Sequence, residues 1–486
     1  MAVLEQFEPK NVWKFFEELC AIPHGSGNLQ AISDHLVAFA KERNLEVTQD
    51  ETLNVIIKKP GANGGEGKPP VILQGHMDMV AVATPESGID MRTTPLALYT
   101  EGDRVRARNT SLGGDDGIAV AMCMAILDAN DLTHPPLEVV ITTEEETGMD
   151  GARALDASLL SAKRLINIDS EDEGVLMAGC AGGARFHARF LFEKVKRSGH
   201  KVTLSVGGLK GGHSGVMIHE ERGNANVLLA RILYQLYRKL GLDFSLCSMN
   251  GGVADNAIPA NASAQIVLPA DTSFAQFAEA VKTVEKEIAA ELVTRDAGFA
   301  VTLTEEGRGT FESFDESSMK HAIKLVLSLP NGVQAMSPDV KGLVETSLNL
   351  GVMETDPRAQ TLQLSYAVRS SVESAKNHLN DRLRMIAKSF GAVTEVQGSY
   401  PGWQYARESP LRDLMVKVFE RMYEKSPTVE AIHAGVECGF FAEKIPGLDC
   451  ISIGPDMDEI HSTGEALSIS STKRVYEYVC EVLKEM

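Results

Sequence analysis

Positive charge is scarce in this 486-residue chain: 47 Lys and Arg face 67 Asp and Glu, a formal net charge of −20. Such a surface repels polyanions, which argues against nucleic acid or an anionic membrane as a partner. Long apolar runs are missing too, and none approaches the roughly 20 residues of a membrane-spanning helix. The opening residues, Met1-Ala2-Val3-Leu4-Glu5-Gln6-Phe7-Glu8-Pro9-Lys10, carry no basic stretch followed by an apolar one, so no secretory leader is expected. The seven cysteines, Cys20, Cys123, Cys180, Cys247, Cys438, Cys450 and Cys480, are odd in number and scattered, with no Cys-x-x-Cys pair. Neither a disulfide framework nor a thiolate zinc site is signalled, and a reduced, cytoplasmic compartment fits. Short-period repeats and low-complexity tracts are lacking as well.

What remains is ordinary globular material, 44% apolar and 23% charged. At this length one core is not enough, so two or more domains are expected. Apolar spacing predicts helices over residues 11–19 and 31–41, a strand over 47–58, and a Gly-rich loop over 61–67. Short apolar runs at 71–73, 137–143 and 164–168 suit buried strands, and 118–127 an apolar helix entered through Gly117. Strands alternating with helices predict an α/β domain with a mostly parallel central sheet.

Near Gly179-Cys180-Ala181-Gly182-Gly183 the pattern changes. Phe186-His187-Ala188-Arg189-Phe190-Leu191-Phe192 alternates as a half-exposed antiparallel strand does. Helices over 224–240 and 273–292 lie among further such strands, and a helix over 411–423 follows. The expected plan is a catalytic domain in two parts, residues 1–185 and 398–486, interrupted by an inserted α+β domain over 186–397.

The chemistry-bearing residues flank that insertion. Gly75-His76-Met77-Asp78 follows one apolar run, and positions i and i+2 of a strand share a side. His76 thus suits a metal ligand, with Asp78 orienting its imidazole. Asp115, within Gly113-Gly114-Asp115-Asp116-Gly117, stands among glycines at a helix start, where it could bridge two ions or simply cap the helix. A phosphate-loop reading fails for want of the GxGxxG pattern and of a loop lysine. In Glu144-Glu145-Glu146-Thr147-Gly148, adjacent carboxylates repel unless cations compensate. One of them can bind metal while its unligated neighbour serves as base for a metal-bound water. Asp169, in Ile168-Asp169-Ser170, and His461, in Glu459-Ile460-His461-Ser462, suit terminal ligands. Each has a plain alternative as a loop, cap or surface residue. Jointly they point to a two-metal hydrolase: Asp115, Glu146 and Asp169 with one hydroxide balance two Zn²⁺, and the N and O donors would admit Co²⁺ or Mn²⁺ as substitutes.

These ordered motifs resemble the co-catalytic zinc peptidase superfamily of aminoacylases and carboxypeptidases. Within it, Leu112-Gly113-Gly114-Asp115-Asp116-Gly117-Ile118, Gly148-Met149-Asp150-Gly151-Ala152 and Gly179-Cys180-Ala181-Gly182-Gly183 resemble the aminoacyl-histidine dipeptidases over nearly the whole chain. The resemblance implies His76 and Asp169 on one ion, Glu146 and His461 on the other, Asp115 between them, and a cis peptide after Asp115. It casts Glu145 as general base and Asp78 as the partner of His76.

From the insertion, His213 in Gly211-Gly212-His213-Ser214-Gly215 resembles the family's oxyanion-stabilising histidine, delivered by lid closure. Asn256 and Arg369 resemble residues that receive the substrate's carboxylate end, a task for which a guanidinium fork is suited. Gly435, in His433-Ala434-Gly435-Val436-Glu437-Cys438-Gly439 of the returning catalytic segment, is expected to offer backbone contacts. His433 and Glu437 there are candidates to meet substrate or to hold the loop. The implied function is a two-metal dipeptidase taking Xaa-His and other dipeptides. An N-acyl amino acid deacylase and a non-catalytic binding protein on the same scaffold are the rivals. The resemblance admits a homodimer, because lids of this superfamily often dimerise, and equally a monomer with a self-contained lid.

Overall fold

The computed structural model describes residues 3–486; residues 1 and 2, where the segment read for a leader begins, lie outside the described residues. The chain divides into two compact units. The first comprises Met1–Cys180, Trp403–Ala431 and Val436–Met486; the second comprises Ala181–Gly402 and Ile432–Gly435.

The first unit is built on an eight-stranded sheet. Its order is Glu46–Gln49, Val55–Lys59, Leu137–Thr142, Val71–His76, Arg164–Asn167, Asp449–Ser452, Val175–Cys180, Thr428–Ile432. The four strands from Leu137–Thr142 to Asp449–Ser452 run parallel, while the Val55–Lys59 and Val175–Cys180 strands pair antiparallel with them. Both Leu137–Thr142 and Val71–His76 are buried along their whole length, which is why they read as unbroken apolar runs rather than alternating ones. The helix Gly114–Asp128 packs on the Val71–His76 strand and on the helix Lys10–Cys20. Ile118 to Leu127 are all buried, so this helix is apolar on every side.

The strand expected over 47–58 is two strands with a reversal between them. Asp50 Oδ1 accepts from the main-chain N–H of Thr52 and of Asn54, both at 2.9 Å. A short acid closing a turn onto its own backbone competes with strand extension. The helix expected over 224–240 is regular over Ala225–Tyr234, capped by Asn224, and then widens into a π-helical turn at Gln235–Lys239.

The second unit is a nine-stranded antiparallel sheet with four long helices, Ala225–Tyr234, Phe274–Leu292, Glu316–Ser328 and Glu373–Ser389. It has a hydrophobic core of its own, separate from that of the first unit. Its limits differ by a few residues from those expected. The strand Gly182–Leu191 already pairs at Gly182 with Ser370, and Tyr400 still pairs with Gly183. The two connecting segments touch where a Cβ on Gly182 would stand 2.4 Å from Gly402 N, so glycine is required there. Residues 432–435, expected in the catalytic segment, group with the second unit because Ala181 N–H bonds to the carbonyls of Ile432 and Ala434. The chain is thus α/β with an inserted α+β unit.

Candidate metal centre

His76 ends one parallel strand, Glu145 and Glu146 follow the next, and Asp169 follows the third. In open α/β sheets the carboxyl ends of the strands are where ligands bind. Glu144 adopts φ +54°, a left-handed conformation that turns the chain into the short helix Glu145–Gly148. His461, at φ +59°, lies in the loop between the strands Met457–Asp458 and Ala466–Ser468. Non-glycine residues pay of the order of 1–3 kcal/mol for such backbone, which the surroundings must over-determine.

The side chains converge. His76 Nε2 is 3.1 Å from Asp115 Oδ1 and 3.4 Å from Asp169 Oδ1. His461 Nε2 is 3.1 Å from Asp115 Oδ2 and 3.0 Å from Glu146 Oε1. The two oxygens of Asp115 therefore face two different imidazoles, each with its own second carboxylate. Three overlapping groups have their donor atoms within 4.8 Å of one another: His76, Asp116 and Asp169; His76, Glu145 and Glu146; Asp115, Glu146 and His461. Two imidazoles and three to five carboxylates at this spacing form a donor set that could hold two divalent cations.

Supporting contacts hold these groups in place. His76 Nδ1 lies 2.9 Å from the main-chain oxygen of Asp78 and 3.5 Å from its carboxylate. That carboxylate accepts from the N–H of Glu145 at 3.1 Å, the N–H of Glu146 at 3.3 Å and Ser26 Oγ at 2.8 Å. Asp78 thereby ties the His76 strand to the Glu145–Gly148 turn. The Asp115–Asp116 peptide is cis. Asp115 does not serve as a helix cap: its backbone is non-helical, and its two carboxylate oxygens pair with His76 and His461.

Electrostatics reflect acids crowded in a dry place. Burial pushes the Glu145 and Asp116 carboxyls well above the carboxylate range, and Asp169 up to about 6. Burial works against charge on His76 and Asp115 too. The charge of Asp169 and bonds to neighbouring acids nevertheless hold the His76 imidazole well above the histidine range, and bonds from His461 and His76 hold Asp115 well below its own. Bonds to Asp115 and Glu146 push His461 up to about 10. Like charges crowded this closely call for compensating positive charge, which divalent cations can supply.

In the second unit, His213 Nδ1 accepts from the N–H groups of Gly215 and Val216, both at 3.3 Å, which leaves Nε2 to carry the proton. Burial and the charge of Arg369 hold this imidazole below the histidine range, hence neutral. Arg369 is 9% exposed and donates to Tyr400 Oη at 3.1 Å. His433 Nε2 pairs with Ser347 Oγ at 2.7 Å. A Cβ on Gly435 would meet the Tyr400 ring at 2.6 Å, so glycine lets the loop lie on that ring. Asn256 is exposed, and its carbonyl accepts from Ser214 N–H at 2.8 Å.

Three groups escape a motif-based reading. Glu465 is buried and accepts from the N–H groups of Leu112, Gly113, Gly114 and Asp115 at 2.7 to 3.3 Å. Asp116, fully buried, accepts from His76 N–H at 3.1 Å, and a Cβ on Gly75 would sit 2.5 Å from its carboxylate. Glu437 does not face a substrate position: it is fully buried and bonded to Gln74 and Thr142. The close spacing of Glu465 to His461 was the one available signal; the other two need three-dimensional contacts.

Comparison with known proteins bears on the family and the fold. The profile described as Peptidase family M20/M25/M40 matches residues 72–485. Over 489 aligned residues the chain is 37% identical to the cytosol non-specific dipeptidase of Escherichia coli (strain K12), covering 100% of this chain and 99% of the relative. The aminoacylhistidine dipeptidase from Vibrio alginolyticus has the same fold, with a TM-score of 0.93 and 34% identity over 99% of this chain and 98% of that one. The aminopeptidase PepT from Bacillus cereus, at 15% identity and a TM-score of 0.56 over 99% of each chain, shares the fold alone.

Proposed function

The chain belongs to peptidase family M20/M25/M40, and on that premise we propose that it is a cytoplasmic, dinuclear metal-dependent dipeptidase. Its substrates are dipeptides, Xaa-His among them, as the names of the Escherichia coli and Vibrio alginolyticus relatives say of those proteins. The observation that carries this reading is the split of the Asp115 carboxylate between the His76–Asp169 and His461–Glu146 pairs. In this assignment His76 and Asp169 would hold one ion and Glu146 and His461 the other, with Asp115 shared between the two pairs. The ions are Zn²⁺, with Co²⁺ or Mn²⁺ as substitutes for the same N and O donors. When bound, such ions polarise a peptide carbonyl and lower the pKa of water.

The chain's own groups supply the rest. Glu145 takes the proton from the attacking water and returns it to the leaving amine. Asp78 fixes the His76 imidazole from behind and holds the Glu145 turn by its N–H groups. The proton on His213 Nε2 is available to a developing oxyanion. Arg369, with Asn256 and the backbone at Gly435, receives the substrate's carboxylate end.

A hydrolysis panel on metal-free and zinc-reconstituted protein tests this, with β-Ala-His, Gly-His, Leu-Leu, Gly-Gly-His and N-acetyl-His. Cleavage restored by zinc and confined to dipeptides is expected. Cleavage of N-acetyl-His alone would move the chain to the deacylases, and two bound ions without turnover would make it a binding protein. The dipeptidase acts as a homodimer or as a monomer with a self-contained inserted unit, and light scattering separates the two.

A further inference from the structure

Beneath the ligand set lies a second polar layer that the hydrolytic steps do not use. Gln74, Thr142 and Asn167 stand on three adjacent parallel strands, with His76 in register beside Thr142 and Gln74 beside Asn167. All three are 1% exposed or less. Polar groups so placed cost free energy unless bonded, and these form one continuous row. Asn167 Nδ2 donates to Gln74 Oε1 at 2.6 Å, and Gln74 Nε2 donates to Glu437 Oε2 at 2.6 Å. Thr142 Oγ1 donates to the same Glu437 oxygen at 2.6 Å, while Asn167 Oδ1 accepts from Asp169 N–H at 3.3 Å.

The placement along the chain matters. Gln74 is two residues before His76, Thr142 three before Glu145, and Asn167 two before Asp169. One carboxyl, entering from the start of the helix Cys438–Lys444, thus joins the three strand ends that deliver ligands. Glu437 is 0% exposed, and its Oε1 has no partner among the described residues. An acid without a cationic partner is a poor choice for filling a core. Its geometry is that of a shared acceptor between neighbouring strands.

We propose that Glu437 is a positioning residue for the metal centre, setting through Gln74, Thr142 and Asn167 the spacing at which His76, Glu146 and Asp169 meet the ions. This rests on the ligand assignment made above. Burial pushes the carboxyl up to about 8, which favours its neutral form, and an amide of the same shape can take its place.

The test uses the full-length, metal-depleted protein and its Glu437→Met and Glu437→Gln variants. Zn²⁺ affinity is read by competition with a chromophoric chelator, followed by kcat and KM on one dipeptide. Loss of a group that supports metal ligands typically weakens binding about 10- to 100-fold. Glu437→Met should show that loss together with a lower kcat and little change in KM. Glu437→Gln, whose amide oxygen still accepts from Gln74 and Thr142, should restore most of it. Wild-type affinity in Glu437→Met overturns the proposal, as does a Gln variant no better than Met. If Glu437→Met does not fold, Gln74→Met is read instead, since it cuts the row at its centre; unchanged affinity there overturns the proposal equally. A wild-type chain that binds no zinc overturns the ligand assignment and this inference with it. Normal zinc binding without dipeptide turnover overturns only the substrate reading.

Discussion

At the scale of single residues, Glu145 and Glu437 are two buried acids with opposite duties. Replacing Glu145 by Gln keeps the shape of the site and removes the proton acceptor. We expect kcat to fall about 10²- to 10⁴-fold with both ions retained, measured by turnover beside metal analysis; undiminished turnover would remove Glu145 from the mechanism. Glu437 bears instead on stability. Its ordinary pKa is 4.5 and its folded value about 8. Between those values the folded chain holds a proton that the unfolded chain has released. Stability contributed at this position is therefore lost as pH rises through the window. Denaturant melts of the metal-free protein should show Glu437→Gln flattening that slope; an unchanged slope would show that the proton resides elsewhere.

These residues also mark how far the sequence could be read. The convergence of His76, Asp115, Glu146 and Asp169 could be anticipated because each follows an apolar run or sits among glycines. Such positions are costly for a charged group that has no task. His461, by contrast, follows Asp458-Glu459-Ile460 and rested on the resemblance. Glu437 carried no such sign: it stands in a loop phrase that read as equally suited to touching substrate. Its partners Gln74 and Asn167 interrupt buried strands, yet no spacing rule connects residues 74, 142, 167 and 437.

At the scale of elements, the entry to the helix Gly114–Asp128 is held from outside the helix. Gly113 opens it at φ +67°, and Asp115 and Asp116 depart from helical φ/ψ. The N–H groups left over are gathered by the Glu465 carboxylate. Glu465→Ala leaves buried donors unmet, each costing roughly 1–3 kcal/mol. We expect a loss of that order or somewhat more in a denaturant melt, with weaker metal binding because Asp115 is held by the same loop. A loss below about 0.5 kcal/mol would show that the loop holds itself. Farther along the helix, Ile126 is 0% exposed, and Ile126→Ala should cost about 2–5 kcal/mol. The sequence announced this helix through its apolar run. It did not announce the reversal after Gln49 or the widened turn after Tyr234, where hydrogen bonding by Asp50 and local backbone geometry overrode periodicity.

At the scale of the whole molecule, two units with separate cores should melt as two events. The proposed ligands all lie in the first unit, so metal binding stabilises that unit alone, by about 2.7 kcal/mol at a free concentration one hundred times Kd. Calorimetry with and without chelator should show one transition moving and the other staying; two transitions moving together would mean a single cooperative unit.

The order of strands has a consequence for how the chain is born. Asp449–Ser452, made near the end of synthesis, lies between Arg164–Asn167 and Val175–Cys180, which are made early. When the ribosome has finished residue 180, the sheet has an open slot, and His461 does not yet exist. The whole inserted unit, with its own core, is then synthesised before the slot can be filled. The nascent protein therefore carries an unpaired strand edge through most of its manufacture, a surface that invites chaperones or a neighbouring chain. A ribosome-stalled series should stay protease-sensitive in its first 180 residues until codons beyond the Asp449–Ser452 strand have been translated and that strand has left the exit tunnel, and only then become resistant.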